Sequence, residues 1–134
     1  MHQKIIIASG PVIVEDNKVL LNQHGDTEFW KFCGGRVENF ETDLIENAKR
    51  EVMEEMGIEI EILDKKPFLM HTTKETADGT IDIILVHYLA KRIGEITPGA
   101  DIRQWKWIPI LELEKENLAP NILPTLKHFG FIAS

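Results

Sequence analysis

The sequence predicts an α/β chain of the α+β kind: one mixed β-sheet with helices packed on it. Three observations carry that expectation. Residues 4–14 are rich in Ile and Val, and residues 58–63 alternate apolar with acidic, both of which are strand patterns. Leu44, Ile45, Ala48, Val52 and Met56 recur at helical spacing. Strand-like and helix-like stretches then follow one another as β-β-β-α-β-β-β-α within 134 residues, a length that suits one domain spanning 1–134.

Taken in order, residues 4–14 read as a strand bent at Gly10-Pro11. Asp16-Asn17 is a turn, and Val19–Leu21 continues as a second strand. Residues 29–33 read as a short third strand ending at Gly34-Gly35. Thr42 or Asp43 caps the helix to Met56, and Gly57 stops it. After the alternating strand 58–63, Pro67 to Thr73 extends it past a kink. Asp78-Gly79 then turns the chain into Ile81–Ala90, as in a hairpin. Residues 94–101 are loop and Trp105–Ile108 is a short strand. Ile110–Glu116 and Asn121–Phe129 read as helices, the second following Pro120. Repeats, low-complexity tracts and linkers are absent from the sequence.

Composition narrows the function classes. The net charge is −7, which argues against gripping nucleic acid through its phosphates, since that needs Lys and Arg. If the chain handles a polyphosphate, a divalent metal is the obvious neutralising device. A lone cysteine, Cys33, excludes an intramolecular disulfide framework and a four-cysteine zinc site. The apolar runs fall short of the roughly 18–20 residues of a membrane span. The N-terminal apolar stretch breaks at Gly10-Pro11, too soon for a secretory signal, so a cytoplasmic protein is expected.

The negative charge has an address. Ten of the 22 acidic residues lie between Glu38 and Asp64, against two basic ones, Lys49 and Arg50. Glu51, Glu54 and Glu55 stand at i, i+3 and i+4, so their carboxylates share a helix face and repel. An isolated string of this kind is ordinarily a solvated acidic face, eased by Arg50 beside Glu54. A divalent cation would turn the repulsion into ligation.

The segment in front of it changes the weighing. Gly35-Arg36-Val37-Glu38-Asn39-Phe40-Glu41 followed by Arg50-Glu51-Val52-Met53-Glu54-Glu55-Met56-Gly57-Ile58 resembles the Nudix box, G-x5-E-x7-R-E-U-x-E-E-x-G-U with U aliphatic. Gly35 to Glu41 has the family spacing, and Arg50 to Ile58 matches at every specified position. Eight residues rather than seven separate Glu41 from Arg50. The extra one is expected near Thr42–Asp43, where it bears on the placement of Glu41 and leaves the helix glutamates in register. The lead-in Trp30-Lys31-Phe32-Cys33-Gly34-Gly35 is similar to the family's aromatic-x-aromatic-Pro-Gly-Gly, with Cys33 where Pro is usual. Asp101–Pro109 and Leu118–Pro124 resemble the segments around its last strand and C-terminal helix.

The resemblance implies a Nudix fold, a mixed β-sheet sandwiched between α-helices with a loop–helix–loop box. It implies Mg²⁺- or Mn²⁺-dependent hydrolysis of a diphosphate bond in a nucleoside diphosphate derivative, first of all a (d)NTP or modified nucleotide. Glu54 and Glu55 are then expected metal ligands, Glu51 a ligand or orienting base, and the carbonyl of Gly34 or Gly35 a further ligand. Arg50 orients a box glutamate. Asp101 leads Glu75, Asp78 and Glu95 as the acidic group outside the box; otherwise it is a turn residue. Trp30, Arg36 and Asn121 are the expected substrate contacts. Phe29 and Trp30 could equally be core, and Asn121 could cap the last helix. Cys33 reads as a buried strand residue rather than a nucleophile. His24, His71, His87 and His128 lack zinc-ligand spacing, although His71 and His87 could line the cleft. The partners implied are a nucleotide, no nucleic acid and no membrane, with a homodimer as the assembly to consider. ADP-ribose or dinucleoside polyphosphate hydrolysis is the alternative within the family, weakened by Thr72, Thr73 and Lys74 where those subfamilies tend to carry Pro or Tyr. A non-catalytic nucleotide sensor would be favoured by lost box glutamates, which are all present here. A diphosphate isomerase would need a Cys–Glu pair, for which Cys33 is the only thiol.

Overall fold

The computed structural model describes residues 4–38 and 42–133. Glu41 of the box lies outside them. Seven strands form one mixed sheet: β1 (Ile5–Glu15), β2 (Lys18–His24), β3 (Gly35–Arg36), β4 (Glu59–Ile62), β5 (Phe68–Thr76), β6 (Gly79–Ile93) and β7 (Ile102–Pro109). The main path runs β4-β6-β1-β2-β7, with β3 added to β1 and β5 to β6. β1 and β6 pair in parallel; the other pairings are antiparallel. The chain is therefore α+β with a mixed sheet, as the element order predicts. Its helices are α1 (Leu44–Met56) and α2 (Ile122–His128). No helix of the described residues is long and apolar enough to cross a membrane.

Strand alternation divides the core in two. Val12, Val19 and Leu21 face a cluster with Trp30, Phe32, Leu113, Ile122 and Leu126, on the α2 side. Their neighbours Ile13 and Leu20 face Val52, Met56, Ile58 and Ile60, on the α1 side. Successive strand residues point to opposite faces, so one run of Ile and Val can serve both layers. Each fully buried side chain of this size contributes about 1.5–3 kcal/mol.

Local chemistry explains most boundaries. Asp16 and Asn17 both take positive φ, 50° and 61°, which is the tight turn that joins β1 to β2. Asp43, rather than Thr42, caps α1: its carboxylate accepts from the Glu46 N–H at 2.7 Å. Gly57 ends the helix in the left-handed region. The loop after β6 then covers that end, with the Thr97 and Gly99 N–H groups donating to the carbonyls of Met56 and Glu55 at 2.8 Å each.

Two expectations need correction. Residues 29–33 are not a strand: Trp30 and Lys31 make only single bridges, to Leu118 and Asn22, and the third strand is Gly35–Arg36. A ladder cannot propagate where one neighbour is itself loop. Ile110–Lys115 is a 3-10 helix, whose buried residues Ile110 and Leu113 sit three apart, one turn of that tighter coil. β1 runs through Gly10-Pro11 without losing its ladder, pairing with β6 at both positions. Any side chain at Gly10 would collide with the Cys33 carbonyl, so glycine is there for close approach.

Candidate active site

The helix α1 sets three carboxylates against the end of β3. Glu51 is partly buried; an added Cβ at Gly35 would run into its carboxylate. Glu54 is exposed. Glu55 is buried and turned inward: its Oε1 accepts from the Gly34 N–H at 3.0 Å and from Asn22 Nδ2 at 3.4 Å. His24 Nε2 sits 2.8 Å from Glu55 Oε2. Arg50 reaches Glu51 at 3.0 Å and Glu54 at 3.1 Å. Burial raises the Glu51 pKa, and the charges of Glu54 and Glu55 add to this while Arg50 opposes it.

A buried network holds the helix to the glycine segment. Asn47 Nδ2 donates to Ser9 Oγ at 2.9 Å and to the Gly35 carbonyl at 3.1 Å. Ser9 Oγ donates to the Leu44 carbonyl at 2.8 Å, and Arg50 Nη2 donates to Asn47 Oδ1 at 2.7 Å. Arg50 thus orients two glutamates and is itself oriented by Asn47. Asn47 is a site residue that no sequence motif singles out. Its signal was an amide in a helix interior, a poor helix former, one turn before Glu51.

Beside this face lies a cavity of about 310 Å³. Its floor is a patch of sheet: Ile83, Leu85 and His87 alternate along β6, next to Ala8 and Gly10 of β1 and Thr72 of β5. Phe29, Phe32, Ala119 and Asn121 line it as well. The chain from Lys31 to Gly35 brings it to the carboxylates. His87 is buried, and its Nε2 lies 2.9 Å from Asn121 Nδ2. Burial pushes the His87 pKa down to about 4, so it is neutral at physiological pH. Among the described residues its Nδ1 is without a partner.

The expected substrate contacts separate. Asn121 lines the cavity and makes no side-chain cap to α2, so its expected capping role is overturned: its amide is engaged by His87. Trp30 is buried in the α2-side core, while its neighbour Phe29 lines the cavity and is partly exposed. Arg36 lies exposed on the other side of β3, near Ile5–Ile7 and Glu38. His71 is outside the cavity and contacts Asp82 at 2.8 Å. Cys33 is buried, and burial pushes its thiol pKa up, which leaves it unreactive. Asp101 lies on a separate surface hollow with His24, Asp26 and Arg103, where its carbonyl accepts from the Gly25 N–H at 3.1 Å. His24, which touches Glu55, lines the same hollow as Asp101.

A match to the NUDIX domain family spans residues 6–129. The chain belongs to the Nudix family. Solved structures agree with it in fold. A NUDIX hydrolase from Nitrosomonas europaea superposes with a TM-score of 0.78 at 18% identity, covering 94% of this chain and 88% of that one. The E. coli ORF135 protein superposes at 0.70 with 25% identity, covering 95% and 89%. A MutT NUDIX hydrolase from Burkholderia pseudomallei superposes at 0.67 with 21% identity, covering 92% and 94%. A search of curated protein sequences finds no match. Nudix hydrolases act on diphosphate bonds of small nucleotide substrates and generally use divalent metals.

The donor set of this Nudix domain suits a hard cation: three carboxylates on one helix face, opposed directly by one arginine. Burial chiefly raises the pKa of Glu51, and the charges of Glu54 and Glu55 add to it. Among the described residues no three His, Cys, Asp or Glu side chains converge as a metal site; Glu54 is held by Arg50 and Glu55 by Gly34.

Proposed function

We propose that this Nudix domain is a pyrophosphohydrolase of nucleoside triphosphates, (d)NTPs or their modified forms. The observation that carries the reading is the shape of the cavity. Its apolar sheet floor and Phe29 and Phe32 suit a flat ring, and its other end opens beside the α1 carboxylates. At about 310 Å³ it has room for a single nucleoside, which favours a triphosphate over a dinucleotide.

Asn121 offers its amide to the base, held in place by His87. Glu51, Glu54, Glu55 and the Gly35 carbonyl would hold Mg²⁺ or Mn²⁺. When bound, the metal screens the phosphates and lowers the pKa of a coordinated water. Arg50 keeps Glu51 and Glu54 on the phosphate side of the helix. Asp101 is the proposed acidic group outside α1, as a further metal ligand or as the base on the attacking water.

The test is a substrate panel with Mg²⁺, read as coupled phosphate release. It compares dNTPs, 8-oxo-dGTP, ADP-ribose, diadenosine polyphosphates and NADH. Turnover on a triphosphate, abolished by EDTA, is expected. Activity confined to ADP-ribose or the dinucleotides would replace this reading, and silence on every compound would point to a sensor.

A further inference from the structure

In a chain of net charge −7, the cavity beside α1 carries the opposite sign. Lys31 is the one Lys, Arg, Asp or Glu among the residues that line it, and His87 there is neutral. The residues flanking Lys31, Trp30 and Phe32, are buried in the α2-side core, and its backbone bridges to Asn22, whose side chain touches Glu55.

The Lys31 ammonium has no carboxylate within ion-pair distance among the described residues. It is half-buried, and burial lowers its pKa, opposed by the more distant charges of Glu55 and Glu51. Half-burial costs the ammonium part of its hydration. A phosphate monoester would offset that loss with close to two negative charges and three acceptor oxygens.

We propose that Lys31 binds the phosphate that stays on the nucleoside, so that the cavity takes a nucleoside monophosphate without any metal. The proposal rests on the reading above that the apolar end takes a nucleoside. It divides the phosphate chain between two kinds of charge. The phosphate nearest the sugar meets an ammonium. Those beyond it meet Glu51, Glu54 and Glu55, and need a metal to stay there. The monophosphate left after hydrolysis is then held by Lys31 and competes with substrate.

The experiment titrates the four deoxynucleoside 5′-monophosphates and the matching nucleosides into the protein in EDTA, by calorimetry. The proteins are wild type, Lys31→Met, which keeps the apolar stem, and Lys31→Arg, which keeps the charge. At least one monophosphate should bind roughly 10–100-fold more tightly than its nucleoside, with the difference lost in Lys31→Met and largely kept in Lys31→Arg. Equal binding of monophosphate and nucleoside overturns the proposal. So does a phosphate preference that survives in Lys31→Met, or the absence of any binding to wild type. Circular dichroism of each variant confirms that it is folded. The outcome separates from that of the hydrolase reading. Turnover on triphosphates with no Lys31-dependent binding sinks only this proposal. Lys31-dependent binding with no turnover on any compound leaves a nucleotide site and sinks the hydrolase.

Discussion

At the α1 end of the cavity three carboxylates share a helix face with one arginine, and Glu51 is strained toward protonation by burial and by its neighbours. At the α2 end two neutral groups, His87 and Asn121, meet each other at 2.9 Å. The first arrangement is in electrostatic deficit and asks for a cation. The second is close to settled and asks only for a ring to lie against it. On the proposed function, recognition and chemistry would be separated across one cavity whose lining includes Lys31.

The widest gap between the two ends should appear in turnover. Glu54→Gln removes an exposed carboxylate without touching the core, so the fold should survive while Mg²⁺-dependent turnover falls roughly 10²–10³-fold. A wild-type rate would remove Glu54 from the metal site. Asp101→Asn, in the hollow that His24 also lines, should lose only about tenfold. Unchanged kcat would exclude Asp101 from the mechanism.

Acid should distinguish the ends next. Native His87 takes up its proton only near pH 4, whereas the same residue in the unfolded chain does so near 6.5. Between those values the unfolded state binds the extra proton, so stability falls as pH falls and is recovered above 6.5. Urea denaturation should show wild type losing about 2 kcal/mol from this residue between pH 7 and pH 5. His87→Phe, which keeps a ring against Phe32, should flatten that slope. An identical slope in the variant would show that His87 does not stay neutral in the fold.

The smallest effect is a change of sign at the other end. Fold and neighbours disfavour the charged form of Glu51, so Glu51→Gln should slightly raise the Tm of metal-free protein while lowering turnover. A lower Tm in EDTA would mean that the contact with Arg50 outweighs the repulsion. That would erase the contrast between the two ends.

Local chemistry made much of the fold legible. The capped, Gly-terminated helix, the Asp16-Asn17 turn and the alternation around Ile60 are written in short-range sequence, because each depends on residues within a few positions. The helix glutamates are legible for the same reason, since spacing alone puts Glu51, Glu54 and Glu55 on one face. Trp30 and Asn121 show where that legibility stops. Whether an aromatic side chain enters the core or a cleft, and whether an amide caps a helix or meets a histidine, depends on partners far away in the chain. Leu118 and His87 make those choices here.

The sequence by itself determined a mixed α+β fold and an acidic helix face within a Nudix box, since periodicity and i, i+3, i+4 spacing are properties of the chain. The tertiary structure decided what that face is joined to. Parallel pairing of β1 with β6 sets Gly10 beside His87 and builds the cavity floor. The bridge from Asn22 to Lys31 ties the cavity wall to a residue that touches Glu55. These neighbours are between 9 and 77 positions apart in the chain. No local pattern encodes them, because sheet register is fixed only when both faces are packed.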